Sequence, residues 1–385
     1  MLISLKGILV LAIIVAVLST AFAVIASQSS SDFPAIAAGD KIKKSIVGGH
    51  MAGFGSHETN GDVLDSINGY NLVSEKAAVE SDKYLRSFNY GRILKLADGS
   101  TVREFTLVAD DRQTREIAPG VFYNLWTFNG TVPGPTLRAT EGDLIRINFI
   151  NNGSKPHSIH THGIHESQMD GVFETINPGG RFIYQFYAKV FGVFPYHCHV
   201  MPLEEHISHG LYGVYIVDPK TPRPEADEMV MIMNGFDTDF DAENNFYAVN
   251  TIPFYYMHHP IQIEKNKLVR VYLANMLEFD QINNFHLHGN LYQLYRSGTS
   301  LQPNEYTDMV TMSQGERAIL EFSYEYPGKY MFHAHKTEFA EKGWVGLFEV
   351  KDSAQIAGPN NNGNNSSLQQ RIKTTTTTPG EGVTT

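Results

Sequence analysis

The sequence is poor in cysteine and in charged residues. Cys198 is the one cysteine among 385 residues, so no disulfide can form within the chain. That thiol is therefore either an inert buried side chain or a metal ligand. Charged residues make up 18% of the chain and the formal net charge is -11, which leaves no basic surplus to neutralise phosphates. The composition argues against nucleic acid and anionic membrane surfaces as partners.

Long stretches with helical periodicity are absent as well. Short apolar or alternating runs bounded by Gly, Pro or Asn occur instead, such as "TVREFTLVAD", "DLIRINFINN", "RFIYQFYAKV" and "GLYGVYIVD". The order then recurs, because "DLIRINFINN" and "HSIHTHG" are echoed by "KLVRVYLANM" and "NNFHLHG". The pattern predicts an all-β protein with two tandem β-sandwich domains, at 100–222 and 223–352.

The two ends of the chain have a different character from these repeats. Lys6 precedes an apolar run from Gly7 to Ala26, so we expect residues 1–30 to be a signal peptide or an N-terminal membrane anchor. Either one places the remainder outside the cytoplasm, since Lys6 favours the inner side. Residues 31–99 are interpreted as a linker or extension, and the tail at 353–385 is predicted to be disordered.

Each repeat contains two His-x-His pairs. Residues i and i+2 of a β-strand point to the same face, so each pair offers two neighbouring imidazoles. Eight imidazoles are too many for one ion and suit a cluster of about three metals. Imidazole binds Zn, Cu, Fe and Ni, so the pairs alone do not identify the metal. The pairs are His160/His162, His197/His199, His286/His288 and His333/His335.

Cys198 narrows the choice of metal. Its side chain faces the side of the strand opposite His197 and His199, where His157 and His206 can reach it. Two histidines and one cysteine with a weak or absent fourth ligand form a blue-copper site. Leu211 stands where an axial methionine is expected, so we predict a three-coordinate site with a raised reduction potential.

The segments "NGTVPGPTLRATEGDLIRINFIN", "HSIHTHG", "YHCH" and "NFHLHG" resemble the laccase-like, two-domain multicopper oxidases, which are related to copper nitrite reductases. The resemblance covers about 100–352 and implies cupredoxin-like Greek-key domains with four coppers per chain. It implies that His157, Cys198 and His206 bind a type 1 copper and that His160 and His286 bind a type 2 copper. For the type 3 pair it implies His162, His197, His199, His288, His333 and His335.

The second repeat departs from the first in an informative way. Asn283 stands where the first repeat has His157, and Ala334 replaces Cys198. No histidine of the second repeat corresponds to His206. We therefore expect the type 1 copper in the first domain alone.

The resemblance also implies an activity. A donor (phenolic, metal-ion or other small reductant) loses electrons singly at the type 1 copper, and O2 is reduced to water at the cluster. Asp170 matches the family's acidic residue beside the cluster and is the expected proton relay, with Glu338 as a weaker candidate. The two-domain relatives are homotrimers with the cluster between subunits, which implies the same assembly here.

Two other functions remain open at this point. A copper nitrite reductase shares the two domains and the trimer, but the residue after its cysteine is not a histidine, whereas His199 is present here. A non-catalytic blue-copper electron carrier would leave the four paired motifs unexplained. Surface or structural roles are expected for the remaining histidines, namely His165, His209, His258 and His259.

Overall fold

The computed structural model describes residues 81–353. The predicted signal peptide or anchor at 1–30 and the predicted tail beyond residue 353 lie outside this range, as does most of the predicted extension. Within 81–353, none of the helices combines the length and the apolar character needed to cross a bilayer.

In the described chain, ten strands form the two sheets of the first half, which runs from Phe88 to Asp218. One sheet has the order β1-β5-β10-β9-β7, and the other has β2-β3-β6-β8 with β4 paired to β3. The strands are β1 (Phe88–Asn89), β2 (Arg92–Lys95), β3 (Thr101–Ala118), β4 (Val121–Phe128), β5 (Thr136–Thr140), β6 (Leu144–Asn151), β7 (His160–Thr161), β8 (Arg181–Tyr187), β9 (Gly192–His197) and β10 (Tyr212–Asp218).

Within residues 81–353, eleven strands form the two sheets of the second half, which runs from Asp227 to Lys351. The strand orders are β12-β11-β14-β19-β16-β17 and β13-β21-β20-β15-β18. The strands are β11 (Asp227–Phe236), β12 (Phe246–Val249), β13 (Ile261–Glu264), β14 (Val269–Asn275), β15 (Ile282–Leu287), β16 (Tyr292–Arg296), β17 (Glu305–Thr307), β18 (Met309–Ser313), β19 (Arg317–Phe322), β20 (Gly328–His333) and β21 (Val345–Lys351).

Helices are short in the described chain. They are α1 (Leu203–Ser208), α2 (Tyr255–His258) and α3 (Thr337–Glu341), with a 3-10 turn at Ser167–Met169 and helical residues at 81–85. The predicted all-β fold with cupredoxin-like sheets is confirmed. Residues 81–99, interpreted from the sequence as part of the extension, instead contribute β1 and β2 to the sheets of the first half.

The burial of individual strands follows their sequence pattern. β6 alternates between buried and half-buried positions, as expected for a strand with one face toward a core. β10 is buried at six of its seven positions, Tyr212 to Val217, because a second apolar surface covers its outer face. A near-continuous apolar run of this kind is typical of a strand covered on both faces.

The three largest of the four apolar clusters within residues 81–353 organise the interior. One fills the first half and includes Phe149, Tyr184 and Cys198, and a larger one fills the second half around Phe285 and Trp344. A third joins the halves, where β10 residues pack against β11, β14 and β19. Arg138 adds an ion-paired bridge across this junction, with Asp218 at 2.8 Å and Glu228 at 2.6 Å.

Candidate metal centres

His157, Cys198 and His206 come together in the core of the first half. Cys198 Sγ lies 3.1 Å from His206 Nδ1 and 3.8 Å from His157 Nδ1, and the two Nδ1 atoms are 3.2 Å apart. None of the three residues is more than 2% exposed. Cys198 directly follows β9 and His206 lies on α1, so a strand end and a helix aim the three donor atoms at one point.

The ring of His157 is oriented by a buried carboxylate that was not predicted from the sequence. Asp111 Oδ2 lies 3.1 Å from His157 Nε2. A carboxylate accepts hydrogen bonds, so Nε2 carries the proton and the lone pair of Nδ1 faces Cys198. Asp111 also accepts from the backbone N–H groups of Ser154 and Lys155. Burial opposes ionisation of Asp111, but these hydrogen bonds outweigh it and keep its pKa below the usual value.

Leu211 lies beside this cluster and provides no donor atom. It is fully buried, and its carbonyl accepts from the Cys198 N–H at 2.9 Å, which places it next to the thiol. Ser158 N–H lies 3.4 Å from the sulfur and donates a hydrogen bond to it. Burial raises the pKa of the Cys198 thiol to about 11, so a metal has to displace its proton.

The second half replaces this cluster with apolar packing. The Trp344 carbonyl accepts a hydrogen bond from the backbone N–H of Ala334. The backbone N–H of Trp344 donates a hydrogen bond to the Phe339 carbonyl. The same two backbone bonds link Leu211 to Cys198 and to His206 in the first half. Phe339 and Trp344 thus occupy the places of His206 and Leu211, and both are fully buried. The space of the first-half site is filled by aromatic rings in the second half.

Four histidines of the first half form an open cluster on the other side of β9. His160 is the cross-strand partner of His197 between β7 and β9. The rings of His162, His197 and His199 lie 5.2–5.3 Å from that of His160, measured between centroids. His162 Nε2 and His197 Nε2 are 3.3 Å apart. We call these four residues the first half-site.

The second half repeats this arrangement with the same register. His286 pairs with His333 between β15 and β20, and the Nε2 atoms of His288 and His333 are 2.9 Å apart. The His335 ring lies 5.3 Å from that of His286. We call these four residues the second half-site. Among residues 81–353, ring contacts connect histidines within each half-site and none joins the two half-sites.

Backbone carbonyls fix the orientation of the half-site rings. His160 Nδ1 lies 2.8 Å from the carbonyl of Asp170, and His197 Nδ1 lies 2.9 Å from that of Cys198. His333 Nδ1 bonds to the carbonyl of Ala334 at 2.7 Å. A carbonyl can only accept, so Nδ1 is protonated in each ring and the Nε2 lone pair is free for a metal.

Burial keeps four of the predicted ligand imidazoles neutral, three in the half-sites and one in the Cys198 cluster. Burial, reinforced by neighbouring imidazoles, lowers the pKa of His162 to about 4 and that of His333 to about 4. It lowers the pKa of His197 to about 3 and that of His206 to about 4. These four rings are therefore neutral at pH 7, which is the form that binds a metal.

The two predicted proton-relay residues have different surroundings. Asp170 Oδ1 lies 3.0 Å from His160 Nδ1, so its carboxylate and its carbonyl both orient a half-site ring. Glu338 lies on α3, where it pairs with Lys342 at 2.8 Å and its side chain is 52% exposed. No hydrogen bond or ion pair connects Glu338 to a histidine in the described chain, and the structure does not bring it into a half-site.

The first half-site opens into a cavity of about 670 Å³. Glu278, Gln314 and Glu204 line it together with the half-site histidines. Gln314 donates a hydrogen bond to Glu278. Burial, with a smaller contribution from Glu204, raises the pKa of Glu278 to about 7. This carboxyl group was not predicted from the sequence, because it belongs to the second half and no motif connects it to the histidines.

The unassigned histidines make local contacts. His165 Nε2 bonds to the carbonyl of Thr161 at 2.8 Å, and His259 stacks on Tyr255 at 4.5 Å. His209 Nδ1 donates to the carbonyl of Asn124 at 2.6 Å. His258 Nε2 is buried without a hydrogen-bond partner among the described residues. None of the four lies in a group of donor atoms that could hold a metal within 81–353.

The donor sets fit copper. Imidazole and thiolate are ligands that copper favours. Donor atoms lie within 4.8 Å of one another in three sets, which are His157/Cys198/His206, His160/His162/His197 and His286/His288/His333. Two donors about 2.0 Å from one ion at a tetrahedral angle lie ~3.3 Å apart. The spacings in the Cys198 cluster, 3.1–3.8 Å, and the 3.3 Å between His162 and His197 are close to that value.

Comparisons with known proteins agree with these donor sets. Two family models, both described as multicopper oxidase, match residues 111–222 and 223–354. A copper-containing nitrite reductase from Neisseria meningitidis serogroup A is 30% identical over 262 residues, which is 62% of this chain and 67% of that protein.

Solved structures show the same relationship. One described as a multicopper oxidase is 51% identical, with a TM-score of 0.71, and the match covers 73% of this chain and 100% of that one. A copper nitrite reductase from Nitrosomonas europaea is 28% identical, with a TM-score of 0.59 and coverage of 66% and 95%. The chain belongs to the multicopper oxidase family.

Proposed function

We propose that the protein is a laccase-like oxidase that takes single electrons from a small donor and reduces O2 to water. The observation that carries this proposal is the pair of equivalent four-histidine half-sites, each built on one cross-strand histidine pair. Eight imidazoles, of which His160, His197 and His333 have Nδ1 bonded to a backbone carbonyl and Nε2 free, provide for a trinuclear copper cluster. A single three-histidine copper, or an electron carrier, would leave most of them without a role.

Copper bound in these sites supplies the one-electron chemistry at His157, Cys198 and His206 and the O2-reducing chemistry at the half-sites. The residues of the chain orient the ligand rings and connect the two kinds of site. Asp111 and the backbone carbonyls hold His157, His160 and His197 in the tautomers that leave one nitrogen free. Cys198 is covalently joined to His197 and His199, so one peptide segment links the two kinds of site.

We propose that the cluster forms between subunits of a homotrimer. Each half-site presents four histidines, and in a cyclic assembly the first half-site of one copy can face the second half-site of the next. Three such interfaces close a ring. Supporting this, no ring contact joins the two half-sites within the described chain.

Complementation between inactive variants tests this assembly. One variant carries His160→Ala and His162→Ala, and the other carries His286→Ala and His288→Ala. Refolding them together should restore about a quarter of the wild-type O2 uptake, because a quarter of random interfaces combine two intact half-sites. Each variant refolded alone is the control. Mixed trimers without activity would contradict a cluster shared between subunits.

Nitrite reduction is the second candidate, favoured by relatives such as the Neisseria meningitidis enzyme. His199, directly after His197-Cys198, supports O2 reduction instead because it completes the first half-site. Copper analysis and paired assays distinguish the two functions. An oxidase should hold about four coppers per chain and consume O2, whereas a nitrite reductase should hold about two and form nitric oxide. Two coppers with nitrite turnover would reject the oxidase proposal.

A purely electron-carrying protein is excluded by the same experiment if O2 is consumed with a phenolic or metal-ion donor. Such a protein would need only the Cys198 cluster.

We also propose, from Lys6 and the apolar run after it, that the reaction takes place outside the cytoplasm. Fractionation of the native host, with activity followed in each fraction, checks this location.

A further inference from the structure

A stack of aromatic rings connects His206 to the protein surface. The Trp126 ring meets the His206 ring edge-on at 4.9 Å, and its face lies parallel to His209 at 4.7 Å. His209 in turn stacks on Tyr123 at 5.1 Å. Phe240 lies at the outer end, 6.4 Å from both Tyr123 and His209 and within 26° of parallel to each. We call Trp126, His209, Tyr123 and Phe240 the ring stack.

The ring stack changes from buried to exposed along its length. Trp126 is 2% exposed and Tyr123 is 4% exposed, whereas Phe240 is 73% exposed. Phe240 has the left-handed φ of 61°, which is uncommon for a bulky residue, and its N–H is held by the Asp237 carboxylate at 2.6 Å. An exposed phenyl ring is therefore held in place at the outer end by its own backbone.

The surroundings of Trp126 favour contact with neighbouring rings and disfavour oxidation of Trp126 itself. Its indole N–H is buried with no acceptor in the described chain, a cost that a phenylalanine would avoid. Lys155 Nζ lies 4.7 Å from the ring centroid and is held there by Glu205 at 2.7 Å. A fixed cation over the ring opposes formation of an indole radical cation. Electrons would therefore tunnel through the packed rings without stopping on Trp126.

The surface around Phe240 is acidic. Asp239, Asp241 and Glu243 flank it in sequence, and all three are exposed. These carboxylates attract cations and repel anions approaching the ring. An exposed aromatic face surrounded by carboxylates is complementary to a planar aromatic molecule that carries a positive charge.

We propose that Phe240 is the docking point of a cationic aromatic donor and that the ring stack is its route to His206. The proposal rests on the proposed oxidase function. In each encounter the donor would lose one electron, and a copper held by His157, Cys198 and His206 would accept it. A catechol donor would release one phenolic proton to solvent in the same step. No atom is transferred between donor and protein. His209, which had no role in the metal ligand set, becomes the central link of this route.

Rapid-mixing experiments on the copper-loaded protein test this route. Dopamine, a cationic catechol, bleaches the type 1 absorption in the absence of O2, and the second-order rate constant is measured. Phe240→Ala and His209→Ala should each lower this constant about tenfold, and His209→Phe should recover most of the loss by restoring a ring. Phe122→Ala is the matched control, since Phe122 is 66% exposed and makes no ring contact among the described residues.

Two further readouts separate this role from a structural one. The reduction potential and the absorption spectrum of the type 1 site should stay unchanged in Phe240→Ala and His209→Ala. The anionic catechol homoprotocatechuate should react about tenfold more slowly than dopamine, and added salt should narrow that difference. In the copper-free protein, saturation-transfer NMR should detect phenethylammonium binding that Phe240→Ala abolishes and Phe122→Ala retains.

The outcomes are distinct. Wild-type rate constants in both Phe240→Ala and His209→Ala, or an equal loss in Phe122→Ala, would overturn the route. Equal rate constants for dopamine and homoprotocatechuate would overturn the charge preference. Wild-type protein that shows no type 1 absorption or no O2 uptake would instead count against the proposed oxidase function.

Discussion

A single residue beside a predicted copper ligand can determine which nitrogen of its ring is free. Asp111 does this for His157, since a carboxylate on Nε2 leaves Nδ1 for the metal. Four donors converge on the Asp111 carboxylate, from Ser154, Lys155 and His157. Removing its charge would therefore disturb the ring that it orients.

We expect Asp111→Asn to weaken type 1 copper binding by about 10–100-fold, because the amide can present an N–H where His157 needs an acceptor. Titration of copper-free protein against a competing chelator, followed at about 600 nm, measures this affinity. Asp98→Asn is the control, since Asp98 lies in an exposed turn with Ser100. An unchanged affinity in Asp111→Asn would show that the backbone alone orients His157.

Asp170 provides a second prediction at this scale. Its carboxylate lies 3.0 Å from His160 Nδ1, so it touches the first half-site and not the Cys198 cluster. Asp170→Asn should slow O2 reduction by about 10–100-fold while the donor reduces the type 1 copper at the wild-type rate. Single-turnover measurements separate the two steps. Glu338→Gln is the comparison, and we expect little change because Glu338 pairs with Lys342 at the surface.

Among the elements, the loop that carries Asp170 is held by a close backbone contact. Gly171 has a φ of 75°, and a Cβ there would lie 1.8 Å from the carbonyl oxygen of Ile159. Side chains larger than hydrogen are therefore excluded where this loop crosses the strand start at His160. Gly179 has nearly the same φ, 78°, but no atom lies within 4 Å of its added Cβ.

Substitutions at Gly171 and Gly179 separate the cost of a steric clash from the cost of a left-handed backbone in the free energy of unfolding. Gly179→Ala should cost about 1–2 kcal/mol from the left-handed backbone alone. Gly171→Ala should cost at least ~3 kcal/mol, because the clash with Ile159 adds to the same strain. Urea denaturation of the copper-free protein measures both free energies of unfolding. Equal losses in the two variants would mean that the loop moves freely and that the contact does not position Asp170.

The two halves also differ in the helix that comes after the strand bearing the cluster histidines. After β9, α1 carries His206 back over Cys198, whereas after β20, α3 carries Phe339 into the core. The backbone bonds are the same, so the loss of the site is a change of side chains on a retained scaffold. The same space holds the predicted copper ligands in the first half and aromatic side chains in the second half.

For the molecule as a whole, the buried imidazoles make stability depend on pH. Their pKa values near 3–4 in the folded chain lie below the unfolded value of about 6.5, so the unfolded chain binds protons more readily. The stability they contribute is fully present above pH ~6.5 and is lost as the pH falls toward ~4.

We therefore expect the melting temperature of the copper-free protein to fall by roughly 5–10 °C between pH 7 and pH 5. His206→Gln should make this decrease smaller, since glutamine does not titrate and one proton-linked contribution is removed. Calorimetry across this pH range provides the measurement. A flat profile for the wild-type protein would mean that the buried rings already accept protons in the folded state.

The all-β class, the duplication and the residue types of the sites could be predicted from the amino-acid order alone. Period-two alternation and His-x-His spacing are local properties that any strand must satisfy, so they can be recognised without coordinates. The presence of Ala334 in place of Cys198 could also be recognised from the sequence, because the two residues occupy equivalent positions of the two repeats.

Features that depend on contacts between distant segments emerged from the packing of the folded chain. Asp111 meets His157 from β3, Glu278 reaches the first half-site from the second half, and Phe240 completes a ring stack begun by Trp126. No local spacing encodes such contacts, since packing of the sheets brings them about. The separation of the two half-sites has the same origin, because the packing of β10 against the second half determines where each histidine cluster lies.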